Sequence, residues 1–174
     1  MGTSRIDLIQ LDRSHEKIII KWRNDPDLNE FLFSDNVITL ESHRKWFEDY
    51  KQLGNRKEFL IFVRDIYKPI GTVGLSLIDK HNKKAEYGII IGEKEYMGKG
   101  YAKEASTLIL SYAFNDLLLN KIYLRVFEDN YRATKMYESI GFKLDGLLRQ
   151  DIIKKGVYKN VIEMSILKEE WINA

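Results

Sequence analysis

The chain has no cysteine, which excludes disulfides, a thiolate nucleophile and any cysteine-ligated metal. That absence suits a reducing compartment, and a cytoplasmic location is expected. Histidine is scarce as well: His15, His43 and His81 lie scattered without ligand spacing, so no metal is expected. Only Pro26 and Pro69 interrupt the 174 residues, with no linker, repeat or low-complexity tract between them. The length suits one domain, 1–174, with a full core. No apolar run approaches a membrane span, and the start lacks the charged-then-apolar pattern of an export signal. The net charge is +2 without a basic run, which argues against nucleic-acid and membrane partners.

Hydrophobic periodicity supplies the elements. Ile6–Leu11 alternates as a strand. Ser14 is placed to cap a helix through Arg23, stopped by Pro26, and Thr39 opens a second helix whose Leu40, His43, Trp46, Phe47 and Tyr50 share a face. Phe59–Arg64 and Gly71–Ile78 alternate as half-buried strands, and a strand ending at Ile91 follows the Asp79–Lys84 turn. Helix Tyr101–Leu118, strand Lys121–Phe127 and helix Asn130–Ile140 come next. Strands Phe142–Arg149 and Val157–Leu167 close the chain around a Lys-Lys-Gly turn. Seven strands and about four helices in this order predict a mixed α/β (α+β) fold with a mostly antiparallel sheet.

Between the strand Glu86-Tyr87-Gly88-Ile89-Ile90-Ile91 and its following helix stands Tyr96-Met97-Gly98-Lys99-Gly100-Tyr101-Ala102. Glycines at 98 and 100 let the main chain approach a ligand closely. The first helical turn presents unpaired N–H groups and partial positive charge. Such a turn takes phosphate. A nucleoside-triphosphate loop fails twice, because position 93 is Glu and Lys99 is followed by Gly100. The dinucleotide fingerprint fails at Lys103.

A second block follows the next strand: Asn130-x-x-Ala133-x-x-x-Tyr137-Glu138-x-x-Gly141-Phe142. Asn130 is a good N-cap, and Gly141 supplies a left-handed stop. Ala133, Met136, Tyr137 and Ile140 fall on one face, so Tyr137 reads equally as a core aromatic. Together the two blocks resemble the GNAT superfamily of acyl-CoA N-acyltransferases, whose pyrophosphate loop is Gln/Arg-x-x-Gly-x-Gly/Ala. Met97 departs from that pattern at its first position, where the family uses mainly the backbone amide. The element order also resembles the GNAT fold over nearly the whole chain. The resemblance implies a twisted seven-stranded sheet with a splayed central strand pair.

It implies acetyl-CoA as co-substrate, held by Ile89, Ile90 and Ile91 along its pantetheine arm. Met97, Gly98, Lys99, Gly100, Tyr101 and Ala102 would hold the diphosphate, with Asn130 and Ala133 nearby. It also implies Tyr137 as the acid facing the sulfur, and Glu86 as the base that frees the amine. Glu86 reads equally as a solvated strand-end charge, and Glu128 and Glu163 are weaker candidates. Without cysteine, direct attack in a ternary complex is the economical mechanism.

The resemblance implies an amine acceptor, and a small molecule is expected. Trp22-Arg23-Asn24-Asp25-Pro26, with Glu41-x-His43-x-x-Trp46-Phe47, resembles aminosugar N-acetyltransferases acting on nucleotide-linked 4-amino sugars, of the pseudaminic-acid type. In that reading Arg23, Asn24, His43 and Trp46 face the acceptor; His43 and Trp46 read equally as core. The excess of acid between Asn24 and Tyr50 favours a polyamine instead. The stretch from Lys84 to Trp171 is similar to spermidine N-acetyltransferases. A protein α-amine, as in ribosomal-protein acetyltransferases, is a third option, and a non-catalytic CoA-binding module a fourth. A homodimer is common in the superfamily, and no residue decides it.

Overall fold

Residues 4–172 are described by a computed structural model. The strands are Ile6–Gln10 (β1), Lys57–Val63 (β2), Lys68–Asp79 (β3), Lys84–Ile91 (β4), Lys121–Phe127 (β5), Lys143–Lys154 (β6) and Val157–Leu167 (β7). They form one sheet in the order β1-β2-β3-β4-β5-β7-β6, antiparallel everywhere except between β4 and β5. The helices are Glu16–Asn24 (α1), Pro26–Asn29 (α2), Leu40–Leu53 (α3), Tyr101–Ser111 (α4), Tyr131–Glu138 (α5) and Lys168–Ile172 (α6). The expected α/β class and seven strands are present, with two short helices beyond the four expected.

Local chemistry sets the element ends. The cap before the first helical segment is Asp12, not Ser14: its carboxylate accepts from the Ser14 amide at 2.7 Å, and α1 proper starts at Glu16. Pro26 does end α1, but it also opens α2, because its fixed φ and missing N–H suit a first helical position. Thr39 and Ser42 cap each other at the head of α3. The helix expected through Leu118 is α-helical only to Ser111. It continues as a π-turn over Tyr112–Asp116 that keeps Ala113 and Phe114 fully buried. A buried phenylalanine contributes roughly 1.5–3 kcal/mol, enough to offset poorer turn geometry.

Both sheet faces are covered. On one, α4, α5 and α6 pack over Ile122, Leu124, Val126, Val73 and Leu75, with Ile109, Leu110 and Phe114 at 0% exposure. On the other, Trp22 of α1 and Phe47 of α3 meet Leu60 and Phe62. Strand alternation carries this division. Trp22 lies directly on the Gly92 backbone, where a Cβ would stand 2.2 Å from the indole. Its Nε1 donates to Glu93 at 2.8 Å, docking α1 against the end of β4.

Candidate active site

The parallel pair β4–β5 is short. Lys84, Ala85 and Glu86 pair with Lys121, Ile122 and Tyr123, and the strands then diverge. Ile89–Ile91 remain bonded to β3 but have no strand on their other side. This is the expected splay, and it opens a cavity of about 1210 Å³. Its wall includes Ile89, Ile90 and Ile91, whose exposed backbone edge can take an extended chain as an added strand.

At one end stands the glycine turn. Gly98 (φ 74°) and Gly100 (φ 87°) both occupy the left-handed region that L-residues rarely adopt. Gly100 caps α4 without any side-chain hydrogen bond, so the first amides of the helix keep their donors for a ligand. Met97, Gly98, Gly100 and Ala102 line the cavity; the Lys99 and Tyr101 side chains do not. Tyr101 instead lies under the Arg5 guanidinium, 4.3 Å from ring centre to Cζ, and Arg5 ties the turn to β1 through Lys99 O and Glu104. Lys103, at the start of α4, and Arg132 and Lys135 of α5 also line the cavity. The Arg132 guanidinium sits 3.4 Å from where a Gly98 Cβ would be. Helix amides and cations together suit a diphosphate.

Tyr137 of α5 lines the same cavity. Asn130 caps α5 as expected, accepting from the Ala133 amide at 3.3 Å, and both residues line the wall. Tyr137 packs edge-on against Tyr87 and tilted against Phe142, with ring centres 6.0 and 5.9 Å away. Burial pushes its phenol up to about 12, so it stays protonated at neutral pH. Tyr87 is more deeply buried. Its hydroxyl meets Ser106 Oγ at 2.6 Å, and burial raises its phenol well above the ordinary value. Glu86 lines the same wall near the β4–β5 junction and accepts a long 3.5 Å hydrogen bond from Ser76.

The far end is built by α1, the start of β2 and the segment after α2. Phe31, Leu32 and Phe33 form a roof, with Phe33 edge-on to Phe127 at 4.9 Å and the Arg125 guanidinium 5.2 Å from its ring. Lys154, only 5% exposed, pins this roof to the β6–β7 hairpin. Its ammonium bonds Asn29 Oδ1 and Ser34 O, each at 3.1 Å, and pairs with Asp35 at 2.7 Å. Arg23 reaches the cavity wall, and its guanidinium makes no hydrogen bond to any described residue. Burial lowers its pKa.

Asn24, His43 and Trp46 do not line the cavity. Asn24 holds the backbone of Ile38 through two 2.8 Å hydrogen bonds. His43 is buried and stacks on Trp46 at 5.3 Å, and Trp46 stacks on Tyr50 at 5.7 Å. Burial holds the His43 imidazole below its ordinary pKa. Among the wall residues that were not expected are Arg56 and Glu58. Their sequence signal is a charge at position 58, in phase with the inward-facing Leu60 and Phe62 of β2.

Comparison with known proteins agrees with this geometry. The pattern of an acetyltransferase (GNAT) domain matches residues 5–143. The chain is 30% identical over 171 residues to spermidine N(1)-acetyltransferase of Vibrio cholerae serotype O1, covering 98% of this chain and 97% of the relative. It is 29% identical over 135 residues to acetyltransferase PseH of Campylobacter jejuni, covering 78% and 81%. The crystal structure of spermidine N-acetyltransferase from Vibrio cholerae in complex with CoA and spermine superposes with a TM-score of 0.92. That alignment is 28% identical and covers 98% of this chain and 100% of the other. With a matched pattern over most of its length, the chain belongs to the GNAT family and is an N-acetyltransferase.

Proposed function

We propose that the protein moves an acetyl group from acetyl-CoA to the primary amine of a small acceptor that also carries an anionic group, of the nucleotide-linked amino-sugar kind. The observation that carries the acceptor class is the half-buried Arg23 guanidinium on the cavity wall, which has no hydrogen-bonding partner among the described residues. Desolvation of this cation is only partly offset by the nearby Glu58 carboxylate, and a phosphate or carboxylate on the acceptor relieves the remaining cost.

The amides of α4 and the cations Lys103, Arg132 and Lys135 hold the diphosphate of the donor. Pantetheine lies along Ile89–Ile91, which sets the thioester beside Tyr137. The amine attacks the carbonyl directly. An amide of the splayed strand near Ile91 stabilises the oxyanion, and the Tyr137 hydroxyl donates to the departing sulfur. A cavity carboxylate must take the amine proton, and Glu86 is the one the family resemblance singles out. The whole chain, 1–174, serves as one such domain.

The second reading is a polyamine acceptor. It is favoured by the structural neighbour that holds CoA and spermine, and by Asp27 and Glu86 on the cavity wall. A thiol-release assay with acetyl-CoA and either a UDP-linked 4-amino sugar or spermidine separates the two. Faster release with the nucleotide sugar is expected. Release with spermidine alone overturns the acceptor assignment, and release with neither overturns the enzyme's proposed chemistry.

A further inference from the structure

The floor of the cavity contains a track without side chains. Glu58 of β2 pairs with Gly74 of β3, which pairs with Gly88 of β4. Directly opposed residues project to the same sheet face, so these three form one row. Glu58 fills the first gap itself: a Cβ on Gly74 would stand 2.3 Å from Glu58 Oε2. The carboxylate therefore reclines over β3, toward β4. From there Gly88 is about one strand spacing on, roughly 4.8 Å. A Cβ on Gly88 would meet nothing within 4 Å. All three residues line the cavity, and Ile89, on the edge of β4 that has no β5 partner, follows Gly88 directly.

We infer that Glu58, rather than Glu86, is the base that takes the proton of the acceptor amine, and that Gly74 and Gly88 form the track on which the amine approaches the thioester. This inference rests on the acetyl-transfer reading of the cavity. The ammonium gives one proton to the Glu58 carboxylate and becomes a neutral amine. Its nitrogen then attacks the thioester carbon, the C–N bond forms and the C–S bond breaks. The second nitrogen proton ends on the CoA sulfur, and Glu58 returns its own to solvent.

Three features of the surroundings fit this work. The Glu58 side chain is 19% exposed, so it is largely desolvated yet reachable. Burial raises its carboxyl to about 7, against the opposing pull of Arg56 and Arg23, which puts a general base in its useful range. The charged groups that face it are Arg56, 3.5 Å away, and Arg23 from α1. On β3 its neighbours are the uncharged Thr72, Gly74 and Ser76, and on β4 Glu86 stands two residues beyond Gly88. From α3, the charges acting on His43 are Glu16 and then Arg23, not Glu58. Two guanidiniums beside the arriving ammonium also lower the amine's own pKa, so the proton leaves more easily.

The test is the pH profile of kcat/KM for the amine, measured by thiol release with a UDP-linked 4-amino sugar and with spermidine. For the parent, an acid limb near pH 7 is expected. In Glu58→Gln that limb disappears, the rate at pH 7.5 falls by about 10²-fold or more, and acetyl-CoA affinity is kept. Glu58→Asp restores part of the rate. Gly88→Ala, where the added methyl enters open space, raises the KM of the amine and leaves that of acetyl-CoA. An acid limb retained in Glu58→Gln, or lost in Glu86→Gln alone, overturns the inference while the acetyl-transfer reading stands. Should Glu58→Gln fail to fold, the absence of any limb between pH 6 and 8 in the parent overturns it equally. No thiol release with either amine takes down both readings.

Discussion

Replacing Tyr137 by phenylalanine removes one oxygen and leaves the ring packed edge-on against Tyr87 and tilted against Phe142, 6.0 and 5.9 Å between centres. The size of the loss depends on what the hydroxyl does. Burial has pushed the phenol up to about 12, whereas an ordinary thiol sits near ~8.5. Full proton transfer to the departing thiolate is therefore uphill by roughly 3.5 pK units, or about 5 kcal/mol. Donating a hydrogen bond to the charge building on sulfur costs no such penalty. A hydrogen bond to a charged group is worth about 1.5–3 kcal/mol, which corresponds to a drop in kcat of roughly 10- to 150-fold. Single-turnover thiol release by Tyr137→Phe is expected in that range, with acetyl-CoA affinity and thermal midpoint close to the parent's. Because the phenol must be protonated to donate and its pKa is raised, parent activity is expected to show no alkaline limb from this group between pH 7 and 10. A change in kcat below about threefold would refute the hydrogen-bond role.

Gly100→Ala puts a methyl on a residue at φ 87° and costs about 1–2 kcal/mol; a several-fold rise in acetyl-CoA KM is expected, and an unchanged KM would detach the turn from donor binding. Arg23→Gln is expected to raise the KM of an anion-bearing amine at least tenfold while leaving that of spermidine equal or lower. Equal effects on both acceptors would end the anion argument. Lys154→Met releases Asn29, Ser34 and Asp35 together, so the roof over the acceptor end loosens and amine KM rises more than acetyl-CoA KM. The Lys154 hydrogen bond first, then that of the Lys155 amide, hold the Asp35 carboxyl below its ordinary 3.8. That stabilisation is present above pH 3.8 and is lost as pH falls through the lower folded value. Thermal midpoints of parent and Lys154→Met are thus expected to differ most near pH 6 and to converge in acid; a gap that widens in acid would contradict the ion pair.

Much of this site could be read before any coordinates, and the reason is that its signals are local. A left-handed turn at Gly98 and Gly100, a capping Asn130 and a period-two strand are each specified within a few residues. So is the separation between the glycine turn and Tyr137, which follows from one helix and one strand of ordinary length. The acceptor end was less legible. On α1, Arg23 and Asn24 are adjacent in sequence, yet only Arg23 reaches the cavity, because the docking of Trp22 on Gly92 sets the rotation of the helix. On α3, His43 and Trp46 share an apolar face that packs toward the second core, and nothing within the helix itself says which surface that face will meet.

Sequence alone determined the element order, the left-handed glycine turn ahead of α4 and the helix that carries Tyr137, since backbone sterics and periodicity act over short range. Tertiary structure decided how far β4 and β5 part, which side chains face the gap, and that the charge at Glu58 lies over its paired glycine on the neighbouring strand. Those outcomes depend on register and packing between segments far apart in the chain. No window of neighbouring residues contains that information.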